Sequence, residues 1–181
     1  VTFVYVDATV GWTSVQTSST QDVINTFVTA TGGTITCCGD YKIHTFTGPG
    51  TFTVTNAGNA SGSNTVSYAV VAGGGGGKQG SGYGGTGGGG AGGYREGRAS
   101  SDCYTASPLN APTGLPVSVQ GYPITVGGGG AVSASCSPGN NGSDSVFSTI
   151  TSTGGGTGGA SNSAGTGGSG GGANENNTGA A

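Results

Sequence analysis

Residues 67–97 read SYAVVAGGGGGKQGSGYGGTGGGGAGGYREG, and this stretch decides which folds are open to the chain. A run of small and β-branched residues, typical of a strand, passes without a break into a block made mostly of glycine. The same transition recurs in PITVGGGGA (123–131) and in STITSTGGGTGG (148–159). A flexible linker between two domains would produce such a transition only once in the chain. Three transitions predict that the glycine blocks leave one end of a β-rich unit and lie beside one another.

Glycine supplies 44 and proline 6 of the 181 residues, a share that is typical of low-complexity chains when it shows no strict period. A collagen helix is excluded, because glycine does not recur at every third position and proline is scarce. Ordinary disorder is disfavoured, since it goes with high net charge and few β-branched residues. Here charged residues make up only 6% of the chain, and Val, Ile, Thr, Tyr and Phe cluster in short runs.

Polyglycine offers one way to order these blocks. It can form an extended helix of the polyproline II type, which has three residues per turn. Because glycine lacks a Cβ, such helices can pack closely and exchange backbone hydrogen bonds. Ordering costs roughly 0.5–1 kcal/mol per glycine relative to alanine, so lateral packing, disulfides or oligomerisation must offset it. A set of flexible linkers, which avoids this cost, is the alternative.

The remaining segments read as short strands, and no window shows helical periodicity. In TFTVT (51–55), Phe52 and Val54 share one face and the threonines share the other, as in a half-buried antiparallel strand. Hairpins are predicted around residues 32–33 and 48–50. We therefore predict an all-β fold, a small antiparallel β-sandwich with interleaved glycine-rich segments and polyglycine II-like packing.

Two regions are expected: residues 1–40 as an N-terminal β segment that connects to a fibre or assembles, and residues 41–181 as a glycine-rich β domain. Only four Lys and Arg face seven Asp and Glu, which gives a net charge of −3. That is too few cations to bind nucleic acid. No apolar run of about 18 residues could span a membrane. A surface rich in Ser, Thr, Asn and Gly suits an extracellular or virion protein.

Motifs of nucleotide binding and catalysis are incomplete. AGGGGGKQ (72–79) approaches a phosphate loop, but Ala72 stands at the first glycine position and Gln79 replaces the hydroxyl that binds Mg²⁺. GSGYGG (80–85) matches a dinucleotide pattern but is followed by more glycine instead of a helix. His44, the only histidine, reads as a strand position, and the carboxylates are scattered singly. We therefore predict no enzyme, no cofactor and no metal site.

The cysteines Cys37, Cys38, Cys103 and Cys136 fit no zinc-ligand spacing. A disulfide between Cys103 and Cys136 and free buried thiols are both open. Cys37 and Cys38 are adjacent, so in a strand their side chains point to opposite faces. They are not expected to pair with each other, and one of them is expected to face a neighbouring chain.

The glycine region also carries aromatic and charged side chains. Tyrosine and arginine are enriched at recognition hot spots, and a glycine scaffold lets them project. The candidate contacts with a receptor or partner are Tyr83, Tyr94, Arg95, Arg98 and Tyr104, with Lys78 and Glu96 nearby. The opening stretch then reads as a strand that delivers polyglycine to an exposed layer, closed by a Tyr94-Arg95 tip. The alternative is that Tyr83 and Tyr94 cover exposed polyglycine backbone.

Three passages, taken in order, resemble the glycine-rich domain found near the end of many bacteriophage tail fibres. They are HTFTGPGTFTVTNAG (44–58), YAVVAGGGGG leading to AGGYREG (68–97), and YPITVGGGGA followed by SVFSTITSTGGG (122–156). The resemblance covers about residues 41–173, and its specificity comes from the order of the motifs. It implies a β-rich domain on a fibre that is often trimeric, with glycine-rich loops that bind a bacterial surface glycan or protein. It brings no catalytic residues, and the paired cysteines are not part of the pattern.

Two functions follow as expectations. The leading one is a structural virion protein, a homo-oligomeric tail-fibre or adhesin domain for host-surface attachment. The other is a subunit of a self-assembling extracellular filament. In that case the N-terminal strand, with Val1, Phe3 and Tyr5, adds to the open sheet edge of the next subunit, and the cysteines lock the contact.

Overall fold

The structure, a computed structural model, describes residues 2–7, 11–15, 25–78, 86–99, 102, 104–108, 110–133, 137, 139–159 and 164–173, and only the backbone in 2–7 and 11–15. The strands in these residues are β1 Thr2–Asp7, β2 Gly11–Val15, β3 Val28–Thr31, β4 Thr34–Cys38, β5 Tyr41–Thr45, β6 Gly50–Ala57, β7 Thr65–Val66, β8 Tyr68–Val71, β9 Tyr94–Gly97, β10 Leu115–Pro116, β11 Gly121–Thr125, β12 Ser145–Phe147 and β13 Ile150–Ser152.

The strands pair antiparallel, and the largest sheet has five of them in the order β13-β12-β11-β6-β3. The others form the two-stranded sheets β1-β2, β4-β5, β7-β10 and β8-β9. The described residues contain no helix, and so none that is long and apolar enough to cross a membrane. The prediction of an all-β fold is confirmed, whereas the sandwich arrangement of the sheets stays a prediction.

The hydrophobic core gathers alternate residues from several strands. In β6, Phe52 and Val54 are buried, as the alternation in 51–55 predicts. Phe147 of β12 lies at the centre of the aromatic contacts, edge-on to Phe52, Tyr122 and Tyr68 with ring centroids 5.9, 6.2 and 6.4 Å apart. Such edge-to-face contacts add to the free energy that burial of each ring contributes.

The predicted hairpins around residues 32–33 and 48–50 are wrong. β3 pairs with β6 and β4 pairs with β5, so the chain leaves one sheet for another at each of these points. Gly32 and Gly33 have φ of +107° and +65°, which side chains disfavour. A Cβ on Gly32 would also overlap the carbonyl of Thr51. These glycines are needed where the chain passes close to β6, and they form no turn between partner strands.

β4 and β5 form a hairpin of their own, joined by Gly39 and Asp40. Gly39 has a φ of +56° and Asp40 a negative one, the combination found in a type II′ turn. His44 lies at the base of the hairpin. Its Nδ1 is 2.8 Å from the carbonyl oxygen of Gly32, and its ring packs edge-on against Phe52 at 5.1 Å. The only histidine therefore has a structural position, as its strand context predicts.

The N-terminal region contributes to two sheets. β1 pairs with β2, with a register shift between Tyr5 and Asp7. β3 also lies within residues 1–40, yet it pairs with β6 of the 41–181 region. The division of the chain into these two regions stays a prediction.

Six segments, most of them rich in glycine, lie side by side: 72–78, 86–93, 126–133, 139–144, 153–159 and 164–173. All but the last adjoin a strand. The N–H groups of Ala72, Gly75 and Lys78 donate to carbonyls of segment 86–93 at N···O distances of 3.0, 2.8 and 3.4 Å. Those of Gly73 and Gly76 donate to segment 139–144 at 3.1 and 2.8 Å. Each neighbour is thus met at every third residue, which is the repeat of a polyglycine helix with three residues per turn.

The hydrogen-bonded neighbours arrange the segments in two layers of three. The first layer holds 126–133, 72–78 and 86–93 in that order, and the second holds 139–144, 153–159 and 164–173. Bonds also run between the layers. The N–H of Gly155 donates to the carbonyl of Gly73 at 2.9 Å, which joins the two central segments.

Glycine is required inside the layers because of space and not because of backbone conformation. None of the described glycines in the layers has a positive φ. A Cβ on Gly75 would fall far inside van der Waals contact with the carbonyl of Gly156, and one on Gly155 would meet that of Gly90 in the same way. On the outside the requirement disappears, since a Cβ on Gly88 would have nothing within 4 Å.

Candidate functional site

The candidate site lies where a glycine segment rejoins the sheet. Segment 86–93 leads into β9, and Tyr94 at the start of β9 stands opposite Val71 of β8. The far end of this segment pairs with Lys78 instead. The prediction of a Tyr94-Arg95 tip is therefore wrong: both residues belong to the sheet end of the layer, because β9 begins at Tyr94.

Glu96 is the centre of the site. Its side chain is buried, with 8% of its surface exposed. One carboxylate oxygen, Oε2, accepts the backbone N–H of Ser107 at 3.1 Å, and its main-chain carbonyl accepts the N–H of Ala111 at 2.8 Å. The phenol groups of Tyr94 and Tyr104 lie near this carboxylate and interact with it electrostatically. A buried carboxylate needs donors such as the N–H of Ser107, which here ties β9 to the following loop.

Burial and the same carboxylate raise the pKa of both tyrosines. Partial burial, the negative charge of Glu96 and the hydrogen bond to it raise the pKa of Tyr94 above the ordinary tyrosine value. Burial, the hydrogen bond to Glu96 and the charges of Glu96 and Asp102 raise the pKa of Tyr104. Both hydroxyls therefore stay protonated across the physiological range.

Arg98 orders the loop that carries Tyr104. Its Nη1 donates to the carbonyl oxygens of Asp102 and Tyr104 at 2.7 and 3.1 Å. Its guanidinium carbon lies 5.6 Å from the centroid of the Tyr104 ring, within the range of a cation–π contact. On the other side of the loop, Ser67 Oγ donates to Asp102 Oδ2 at 2.5 Å and accepts the N–H of Ala99 at 3.0 Å.

Tyr94, Arg98 and Tyr104 are called the tyrosine surface below. Tyr94 and Tyr104 keep 49% and 45% of their surface exposed although both interact with Glu96. Arg95 is also exposed, but it alternates with Tyr94 and Glu96 along β9 and therefore projects from the other face of the strand. Fixed rings and guanidinium groups can stack on a ligand and donate hydrogen bonds to it. Within the described part of the chain, no group of three or more His, Cys, Asp and Glu side chains could hold a metal ion.

A comparison with models of protein families matches residues 45–181 to the glycine-rich domain. The match covers more than two thirds of the chain. The chain belongs to the glycine-rich domain family. The matched region begins at the last residue of β5, so it includes all six glycine segments and the tyrosine surface. No curated protein and no solved structure matched the chain at a significant level.

The glycine-rich domain brings together most of the residues that the sequence singles out for recognition. Tyr94 and Tyr104 meet at Glu96, and Arg98 lies over the ring of Tyr104. Arg95 projects from the other face of β9. The sequence predicts the contact between Tyr94 and Glu96, because residues two apart in a strand lie on the same face. The bond from Ser67 to Asp102 joins residues 35 apart in sequence, and no local pattern announces it.

Other predicted positions lie elsewhere. Tyr83, Cys103, Cys136 and Val1 fall outside the described residues, so the contact of Tyr83, the disulfide and the role of Val1 stay predictions. Phe3 and Tyr5 belong to β1. Cys37 and Cys38 are exposed free thiols in β4, opposite Lys42 and Tyr41 of β5.

Replacing Glu96 by glutamine should lower the pKa of Tyr94 and Tyr104. The amide keeps a hydrogen-bond acceptor but removes the charge that raises both values. A raised tyrosine pKa stabilises the fold below the unfolded value near 10, and this stabilisation is lost as pH rises through the folded value. In Glu96→Gln this loss should be smaller and should be complete at a lower pH, because the folded values move toward the unfolded one. NMR titration of the tyrosine rings, together with unfolding at each pH, measures both effects.

Asp40→Asn is the control for that experiment, because it removes one negative charge from the turn between β4 and β5. It should leave the titration of Tyr94 and Tyr104 unchanged. Equal shifts in both variants would show that net charge, and not contact with Glu96, raises the two pKa values.

Proposed function

We propose that this glycine-rich domain is a non-enzymatic attachment module of a virion fibre or adhesin, which binds a bacterial surface glycan or protein through the tyrosine surface. One observation carries the proposal: Tyr94 and Tyr104 are half exposed and yet interact with the same buried carboxylate, and Arg98 fixes the segment of Tyr104. Exposed aromatic rings with restricted motion lose little conformational entropy when they bind a ligand.

The polyglycine layers support the proposal as a scaffold. Segment 86–93 leads into β9. It is bonded to segment 72–78 of its own layer, where Gly75 donates to Gly90 at 2.8 Å, and to the second layer, where Gly90 donates to Gly156 at 2.7 Å. A strand that emerges from such a lattice has little freedom to shift. The tyrosine surface is therefore presented in one geometry, which favours recognition of a ligand of defined shape.

The chemistry of the surface suits a sugar or a small polar epitope. Sugar rings stack on aromatic faces through their C–H groups, and their hydroxyls accept bonds from guanidinium groups. The chain has four Lys and Arg in all, and one of them, Arg98, belongs to this surface. Because the chain has few charged residues, a single guanidinium group strongly affects the electrostatic potential of the surface around it.

Replacing Tyr94 or Tyr104 by alanine should weaken binding to host cells at least about tenfold, since truncation of a hot-spot aromatic costs about 2 kcal/mol or more. Binding of the purified full chain to bacterial cells, and to a panel of their surface glycans, measures the effect. Tyr41→Ala is the matched control, because Tyr41 is also 49% exposed but lies on the β4-β5 hairpin. Equal binding by all three variants would contradict the assignment of the surface.

The alternative proposal is a filament subunit that assembles by strand addition. β1 forms a two-stranded sheet with β2, so its second edge is open within the described part of the chain. Deleting residues 1–6 should then abolish polymers seen by electron microscopy. Polymers of normal length after the deletion would exclude this role for the N-terminal strand.

A further inference from the structure

β4 has a free edge. It pairs with β5 in a sheet of only two strands, and the described part of the chain supplies no partner on its other side. All five residues, Thr34–Cys38, are exposed. A hairpin of two strands is marginally stable by itself in water, so a further strand would stabilise it considerably.

The edge of β4 lacks the features that keep exposed strands apart. Natural edges carry charges, proline or a bulge, which block pairing with another chain. The sequence TITCC (34–38) has no charge and no proline, and its register with β5 runs without a shift from Thr34 to Cys38. β5, on the other side of the hairpin, carries Lys42 and His44. The two edges therefore differ, and β4 is the one open to another strand.

The outward hydrogen-bonding groups of β4 can be assigned from the turn. In a hairpin with a two-residue turn, the pair that closes the turn is hydrogen-bonded, and such pairs alternate with non-bonded ones. Cys38 and Tyr41 close the turn at Gly39 and Asp40. The N–H and C=O groups of Cys37 and Ile35 therefore point to the free edge.

We propose that a second copy of the chain adds at this edge, with the two β4 strands antiparallel about a two-fold axis at Thr36. Ile35 of each copy then lies opposite Cys37 of the other, so the outward groups of both residues are used. Thr34 lies opposite Cys38, and every pair joins small or β-branched side chains. This register overlaps all five residues of the strand, and no charge of β4 opposes another.

The pairing gives the exposed thiols a defined place. Cys37 contacts Ile35 of the second copy, as the expectation that one cysteine faces a neighbouring chain requires. Cys37 of one copy lies two residues along the strand from the position opposite Cys37 of the other copy. The distance between their Cα atoms is therefore too long for a disulfide. The contact is therefore noncovalent, and it forms in a reducing as well as an oxidising environment.

A designed disulfide tests the register. In the full chain carrying Cys37→Ser and Cys38→Ser, Thr36→Cys should form a cross-linked dimer with oxidised glutathione, because the two Thr36 residues face each other as a non-bonded pair with Cα atoms about 4.5 Å apart. Thr34→Cys in the same background is the matched control. It should give no dimer, since the two Thr34 residues lie at opposite ends of the pairing. Equal yields from both variants would overturn the register.

A charge on the edge tests the association itself. Ile35→Lys should raise the dissociation constant of the dimer at least about tenfold, measured by sedimentation of the full chain. Ile43→Lys is the control, because both isoleucines are 45% exposed and Ile43 lies on β5. A wild-type chain that stays monomeric at all concentrations, or an Ile35→Lys variant that dimerises like the wild type, would overturn the proposal. Neither result bears on attachment to cells, so the two proposals fail independently.

Discussion

Replacing Gly75 by alanine is expected to destabilise the fold by about 3 kcal/mol or more, the range of severe overpacking. The added Cβ would overlap the backbone of Gly156 in the facing layer, and the carbonyl of Gly155 is also within contact. A rigid backbone cannot move aside as a flexible side chain can. Relief requires the layers to separate, which breaks hydrogen bonds between them such as those from Gly155 to Gly73 and from Gly90 to Gly156. Urea unfolding of the full chain measures the loss.

Gly88→Ala is the matched control, because Gly88 lies in the same layer and a Cβ there has nothing within 4 Å. Its φ is not positive, so alanine fits the backbone conformation. This variant should be neutral or more stable by up to about 1 kcal/mol, since alanine has less conformational freedom than glycine in the unfolded chain. Equal losses at Gly75 and Gly88 would mean that the layers do not pack as described.

Truncation of Phe147 to alanine should cost about 3–5 kcal/mol, as for other large buried aromatic residues. Phe147 is 9% exposed and meets the rings of Phe52, Tyr68 and Tyr122 edge-on. Its loss would leave a cavity that three rings from different strands cannot fill without moving their backbones. Thermal and urea unfolding should both report the change.

Phe27→Ala is the control for this experiment, since the same atoms are removed from a side chain that is 62% exposed. Its effect should stay within about 0.5 kcal/mol. If both variants lost the same stability, the aromatic cluster around Phe147 would not be the centre of the core.

Local patterns predicted much of the architecture. The alternation of Phe52 and Val54 with threonines marked one strand of the central sheet, and both side chains are buried. Three transitions from strand to glycine indicated that the glycine segments lie beside one another, and each segment is hydrogen-bonded to its neighbours. Both features depend on residues close together in the chain, and for that reason sequence patterns can reveal them.

Pairing partners could not be read in the same way. The glycines at 32–33 have the composition of a hairpin turn, but β3 pairs with β6 and β4 with β5. A positive φ is needed both in tight turns and where chains cross closely, so glycine alone does not distinguish them. The place of Tyr94 followed from the register of β9 with β8 and not from its position after a glycine block.

The sequence alone determines that the fold is all-β. It also determines that the glycine segments lack side chains, so that polyglycine helices can approach one another closely. These properties follow from composition and short-range alternation, which each segment has whatever its neighbours are. The three-dimensional packing alone shows which glycines have no room for a Cβ, such as Gly75, and which have room, such as Gly88. It also brings Glu96 under Tyr94 and Tyr104. The reason is physical: space and electrostatic contact depend on segments that are distant in the chain, and only folding brings them together.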